Sequence, residues 1–312
     1  MDFSQTLRSS VILPHPLIKA VHVRAFAKIN LGLKVLGKRP DGFHEIRTVY
    51  QTVGLADQLQ VSVSSRQRGI RLECDHQELS SGPENLVCRA AELWRRVRGF
   101  KGGIRLRLEK KIPMGAGLGG GSSDAAATLL ALEHLTGNRL DGVVRRQLAA
   151  RLGSDVPLFL LGGRVLGCGR GEEVYPLADL PGRPCLIAFP GFSVSTAEAY
   201  AALGLQLTRS QETRRISFLG KRPPFPLEAW GPAENDFEMF VFARWPELAR
   251  VKSQLIRAGA ETASLTGSGS ALYAVYESAQ QLNRAANRIP AGWKVFKVRT
   301  LPRAVYLRRL FV

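Results

Sequence analysis

Pro113-Met114-Gly115-Ala116-Gly117-Leu118-Gly119-Gly120-Gly121-Ser122-Ser123-Asp124 decides how this chain is read. Its five glycines let the backbone take positive φ and approach a ligand that side chains would hold off. Upstream, Ile104, Leu106, Leu108, Lys110 and Ile112 alternate with Arg105, Arg107, Glu109 and Lys111, a period of two that predicts a half-buried strand. Downstream, Ser122 and Ser123 are placed to cap a helix running from Ala125 to Leu135, with Gly137 to stop it. Strand, glycine loop and capped helix in that order form an anion cradle, because free N–H groups and the positive end of the helix dipole point into the loop. The pattern is not the common phosphate loop G-x-x-x-x-G-K-[ST], since Gly121 and not a lysine precedes Ser122. Nor does an acidic residue closing a second strand lie about 20 positions on, as a dinucleotide fingerprint requires.

Over 312 residues, a hydrophobic content of 45% supplies cores for one large or two ordinary domains and excludes a disordered or fibrous chain. Cys74, Cys88, Cys168 and Cys185 show no C-x-x-C spacing, which predicts free thiols in a reducing cytoplasm and no disulfide framework. No apolar run is long enough to span a membrane. Residues 1–20 lack the apolar centre of a signal peptide and read as an extension of unknown role. The net charge is +18, from 44 basic and 26 acidic residues. The basic residues are scattered in pairs such as Arg95-Arg96, Arg145-Arg146 and Arg308-Arg309, with no stripe of interleaved aromatics, so no specific nucleic-acid partner is expected. A basic surface that attracts small polyanions such as nucleotides is the simpler expectation. The rival from another class is a nucleotide- or RNA-binding protein without turnover, whose polynucleotide binding would fall steeply with salt.

From Val21 to Leu36 apolar residues hold the odd positions, which predicts a long strand with Lys28 and Asn30 on one face. Arg39-Pro40-Asp41-Gly42 is a turn, a second strand starts near Phe43, and Leu59 to Val63 reads as a third. Helical spacing covers Asn85 to Val97, Leu140 to Leu152, Asn235 to Trp245 and Glu247 to Ala258. A strand near Leu272 to Tyr276, another helix and a last strand before Leu301 follow, and a proline- and glycine-rich hinge falls near Pro181 to Pro184. Strands and helices mixed in this way predict an α+β architecture in two lobes.

The residues now quoted carry a resemblance. Pro113 to Ala127 resembles the glycine-rich ATP loop of the GHMP kinases, Ala27-Lys28-Ile29-Asn30-Leu31 their first motif, and Leu265-Thr266-Gly267-Ser268-Gly269-Ser270-Ala271 their third. Arg39-Pro40-Asp41-Gly42-Phe43-His44, Gly153-Ser154-Asp155-Val156-Pro157, Gly169-Arg170-Gly171-Glu172 and Val194-Ser195-Thr196 with Tyr200 resemble the branch of that family whose acceptor alcohol carries a cytidine. The resemblance implies a two-lobed GHMP kinase fold: an ATP-binding lobe with a mixed or antiparallel sheet over 1–180, and an α+β lobe over 181–312. It implies ATP with Mg2+ on Pro113 to Ser123, and a small-molecule acceptor touching Asn30, Phe43, His44 and Tyr200. It makes Asp155 the catalytic carboxylate and Lys28 its partner, since an ammonium beside a carboxylate favours the ionised form. An acceptor such as homoserine or a mevalonate-like acid is the alternative within the family. Without the resemblance, Asp155 is a turn or cap residue, Lys28 a solvent-facing lysine, Phe43 and His44 ordinary strand residues and Tyr200 a packing residue. Phe43 stands where tyrosine is common in the family, which removes a hydroxyl contact and keeps a stacking face. Neither the metal's ligands nor the oligomeric state is assigned by the sequence.

Overall fold

The computed structural model describes residues 19–76, 78–207 and 234–312, so residues 1–18 of the expected extension lie outside the described residues. Strands β1 (Lys19–Lys38) and β2 (His44–Ser64) form one long antiparallel hairpin across the turn predicted at Arg39 to Gly42. Leu59 to Val63 is thus the far end of β2 and not a third strand, because β2 continues past its bulges and stays paired with β1 as far as Val63. Strand β3 (Ile70–Cys74), helix α1 (Leu86–Arg98), strand β4 (Gly103–Glu109), helices α2 (Gly120–Thr136), α3 (Gly142–Leu152) and α4 (Val156–Leu161), and strands β5 (Arg164–Cys168) and β6 (Glu173–Pro176) complete a first lobe. Its sheet runs β3-β4-β2-β5-β6 with β1 on β2, and only β3 and β4 pair in parallel. A second, antiparallel sheet β10-β7-β9-β8 is built from β7 (Pro184–Phe189), β8 (Thr262–Leu265), β9 (Leu272–Val275) and β10 (Lys294–Arg299). Helices α5 (Thr196–Leu207), α6 (Glu238–Arg244), α7 (Pro246–Arg257) and α8 (Ala279–Ala286) accompany it, and α9 (Arg303–Leu310) returns to the first lobe's core. The two lobes and the mix of sheet and helix are the α+β architecture expected.

The β1–β2 hairpin joins the lobes, and its bulges decide what faces what. The odd positions of β1 do not share one face, as unbroken alternation would require. Val23 and Ala25 pack in the first lobe's core with Phe26, whereas Ala27 and Ile29 pack against Ile187 and Tyr273 of the second sheet. The exchange falls at a register shift between Phe26 and Lys28, where two extra residues of β2 stand opposite Ala27. The same shift turns Lys28 and Asn30 toward the glycine loop while keeping them buried.

Helix α2 is enclosed. Ala125, Ala126, Ala127 and Ala131 are small enough for α1, α4 and β1 to close around it, and Gly137 ends it in the left-handed conformation at φ 67°. The short α4 behind it is stopped by Gly162 at φ 64°, where the Tyr306 ring of α9 lies so close that an added Cβ would stand 2.0 Å from its Cδ1. Tyr306 donates to the Phe159 carbonyl at 2.5 Å and packs on Phe26, tying α9 to this corner. Gly162→Ala adds positive-φ strain and an overpacked methyl, so it should lower unfolding free energy by about 2–4 kcal/mol. Chemical denaturation tests this, and an unchanged midpoint would contradict the packing described.

Candidate active site

The strand, loop and helix predicted around the glycine run form, with one correction. Ser122 and Ser123 do not cap α2; Gly119 occupies the N-cap at φ 72° without a side-chain hydrogen bond, and both serines lie inside the first turn. The glycine can turn the chain left-handed, so the helix begins before the hydroxyls. Among the described residues the N–H groups of that first turn have no side-chain acceptor, and the buried Ser123 hydroxyl has no hydrogen-bond partner. A cavity of about 510 Å³ opens here, walled by Pro113 to Ser122 on one side and by Leu79, Ser80 and Glu84 to Leu86 on the other. Ser123 is the one residue of the predicted loop that does not line it.

The floor of this cavity is charged. Lys110 donates to Asp57 and, at 2.7 Å, to Asp124, and all three are buried. Asp57 also accepts from the backbone N–H of Ile112 at 2.8 Å, which fixes the strand's exit into the loop. Burial pulls the Lys110 pKa down, but two carboxylates more than reverse it, and the net shift is upward. Burial pushes Asp124 up, Lys110 opposes, and the neighbouring Asp57 adds to the rise.

A second cavity of about 700 Å³ lies on the other side of the loop, and Gly117 and Gly119 line both. Lys28 and Asp155 meet at that shared wall, with Nζ 3.6 Å from Oδ2. Asp155 precedes α4 without capping it, so its carboxylate is free to face the cavity. Burial lowers the Lys28 pKa, and Asp155 only partly restores it. Asn30 lines the cavity too, but its amide is spent inside the protein: Oδ1 accepts from Lys28 Nζ (2.7 Å) and the Gly267 N–H (2.8 Å), and Nδ2 donates to Thr48 (2.8 Å).

Phe43, His44 and Tyr200 gather at the cavity's outer end. His44 stacks on Tyr200 with ring centroids 4.5 Å apart and planes 16° apart, and Phe237 meets Tyr200 edge-on. Phe43 is half exposed, and its partner is the Arg170 guanidinium, 4.6 Å from the ring centroid. Burial, then the Lys38 charge, pulls His44 below its ordinary value, and burial with the Asp155 charge pushes Tyr200 up to about 12.

The third glycine motif closes on the first loop. A Cβ on Gly117 would stand 2.0 Å from the Thr266 carbonyl oxygen, and the Thr266 hydroxyl donates to the Gly117 carbonyl at 3.1 Å. Tyr50, which donates to Asp155 at 3.0 Å, escaped the sequence reading; Arg170 and Ser268, which bonds Thr196 at 2.9 Å, stood there only inside motifs, and Phe237 had no assigned role. Tyr50, between Val49 and Gln51, and Phe237, between Asp236 and Glu238, carry no local signal, and only the fold brings Tyr50 to a carboxylate 105 positions away. Arg170 alone carried a local signal, a cation between two glycines in a turn. The arrangement suits transfer between two bound molecules: an anion held at a helix start on one side, and a carboxylate with an ammonium on the other.

Comparison with known proteins agrees with this geometry. Residues 85–163 match the model of the GHMP kinases N terminal domain, and residues 229–295 that of GHMP kinases C terminal. The 4-diphosphocytidyl-2-C-methyl-D-erythritol kinase of Solibacter usitatus is 46% identical over 85% of this chain and 84% of its own length. That of Pelotomaculum thermopropionicum is 41% identical over 83% and 91%. A crystal structure of 4-(cytidine 5'-diphospho)-2C-methyl-D-erythritol kinase superposes with a TM-score of 0.71 at 36% identity, covering 89% of this chain and 98% of that one. Homoserine kinase from Cytophaga hutchinsonii superposes at 0.65 but at 20% identity, over 93% and 97%, which speaks for the fold alone.

The buried charge cluster gives a direct test. Lys110→Met leaves Asp57 and Asp124 facing each other without a cation, so unfolding free energy should fall by about 3–5 kcal/mol. A loss below about 1 kcal/mol, the range of an exposed pair, would mean that the lysine does not hold the two carboxylates.

Proposed function

The chain belongs to the 4-diphosphocytidyl-2-C-methyl-D-erythritol kinase family of the GHMP kinases, and from that premise we propose that it moves the γ-phosphoryl group of ATP to the 2-hydroxyl of 4-diphosphocytidyl-2-C-methyl-D-erythritol, a step of non-mevalonate isoprenoid precursor synthesis. One observation carries the reading: two cavities share the wall formed by Gly117 and Gly119, and Lys28 and Asp155 stand at that wall. In this reading the triphosphate lies along Pro113 to Ser123, on the uncapped N–H groups and positive end of α2. The Ser122 hydroxyl, which lines the cavity in the first turn of α2, suits a phosphate oxygen or the Mg2+ that accompanies it. Magnesium on the phosphates supplies charge neutralisation when bound. Among the described residues no cluster of three or more His, Cys, Asp or Glu gathers for a metal.

Asp155 accepts the proton of the acceptor hydroxyl, and Lys28 steadies the negative charge that forms on the oxygen. The cytosine is gripped by Phe43, His44 and Tyr200, aromatic faces supplying stacking and His44 the hydrogen bonds that choose the base. Asn30 serves this site by holding Lys28 and the Gly267 loop. The division of labour gives ATP binding to 1–180 and closure over it to 181–312. No described helix is long and apolar enough to cross a membrane, and free cysteines fit turnover in the cytoplasm.

ADP release with Mg-ATP and a panel of acceptors tests the reading. Turnover is expected with the diphosphocytidyl methylerythritol and not with its uridine analogue, homoserine or mevalonate; turnover on homoserine or mevalonate would overturn the substrate assignment. Asp155→Asn should lower kcat by about 10²–10⁴-fold, and near-normal kcat would overturn the base. Because burial lowers the Lys28 pKa, the ammonium is lost as pH rises through a value below the ordinary 10.5. The alkaline limb of kcat should therefore lie below 10.5 and vanish in Lys28→Met; a limb unchanged in that variant would contradict the assignment.

A further inference from the structure

Asp155 is oriented by two groups only. Among the described residues its carboxylate meets Tyr50 at Oδ1 (3.0 Å) and Lys28 at Oδ2 (3.6 Å), and it accepts no helix-capping bond. Tyr50 sits mid-strand in β2, opposite Asn30 of β1 and Val165 of β5, and is 1% exposed. A buried phenol needs room, and two glycines provide it. A Cβ on Gly167 would stand 2.5 Å from the ring, and one on Gly171 only 2.4 Å from the hydroxyl oxygen. Lys28 lies above the same ring, with Nζ 5.6 Å from its centroid. The hydroxyl is thus aimed at a single acceptor by a strand, two glycines and a cation.

We propose that Tyr50 is a positioning residue for phosphoryl transfer: its O–H occupies Asp155 Oδ1 and so presents Oδ2 to Lys28 and to the acceptor hydroxyl. This rests on the reading of Asp155 as the base. Burial and the Asp155 charge hold the Tyr50 pKa well above that of an ordinary phenol, so the hydroxyl remains a donor throughout the working range. A carboxylate that is fixed before the substrate arrives need not be ordered during the reaction, and that order lowers the barrier. A phenylalanine here would keep the packing and lose the aim. The ionisable groups around Asp155 are Lys28 from β1, Tyr50 from β2 and Tyr200 from α5, with Glu172 and Arg170 beside them on the turn after β5.

Tyr50→Phe tests the proposal, measured as kcat and KM against pH alongside Asp155→Asn and the double variant. Loss of a hydrogen bond to a charged group should lower kcat by about 10- to 100-fold. KM for both substrates should stay within about twofold, because the bond is not made to either one. In the Asp155→Asn background the substitution should cost nothing more, whereas a merely structural role would still cost activity there. If Tyr50→Phe matches the parent in kcat while Asp155→Asn is crippled, the positioning role is wrong and the base stands. If Asp155→Asn itself turns over normally, both fall.

Discussion

One buried amide holds the candidate site together. Asn30 Oδ1 takes hydrogen bonds from Lys28 and from the Gly267 N–H, while Nδ2 reaches Thr48 of β2. Those partners come from the long hairpin and from the loop that closes over Gly117, so a single side chain registers both lobes against the lysine. Each donor it satisfies would otherwise cost about 1–3 kcal/mol if left buried and unmade. The constraint explains the sequence on either side. Gly117 cannot carry a side chain because the Thr266 carbonyl fills that space, and the register shift before Lys28 is what delivers Asn30 to the network.

Two buried lysines show how geometry divides similar chemistry. Lys110 has two carboxylates within hydrogen-bonding reach, and its pKa rises despite burial. Lys28 has one carboxylate at 3.6 Å, and burial wins. A unit-charge pair at this separation is worth about 4 kcal/mol at an effective dielectric of 20, enough for a second carboxylate to reverse the balance. Lys110 is therefore a fixed brace under the glycine loop. Lys28 holds its proton less firmly and is the more responsive of the two, which suits a group that must answer to charge appearing on a substrate.

Much of this was legible in the chain. The glycine run, its flanking strand and helix, the turn at Arg39 to Gly42 and the helix starting after Asn85 all obey local rules of period and capping, and all appear. What failed to read did so for non-local reasons. The alternation of β1 looked unbroken because a bulge leaves the sequence pattern intact while changing which face each residue meets. Ser122 and Ser123 looked like caps because the competing choice, a left-handed glycine at the N-cap, depends on how the loop packs on Lys28 and Phe159. Lys28, Asp155 and the aromatic trio were found through motif resemblance, and spacing alone would have left them as strand, cap and packing residues. Tyr50 carried neither kind of signal, because its meaning comes from a hydroxyl that meets a carboxylate across the fold.

In the proposed reaction, transfer takes place across the wall shared by the two cavities. A crystal structure with a non-hydrolysable ATP analogue and the diphosphocytidyl methylerythritol addresses it directly. The terminal phosphate is expected on the loop at Gly117 to Gly119, with the acceptor 2-hydroxyl about 2.6–3.2 Å from the Asp155 carboxylate and the cytosine beside His44 and Tyr200. An acceptor bound away from Asp155, or a triphosphate lying outside the glycine loop, would contradict it.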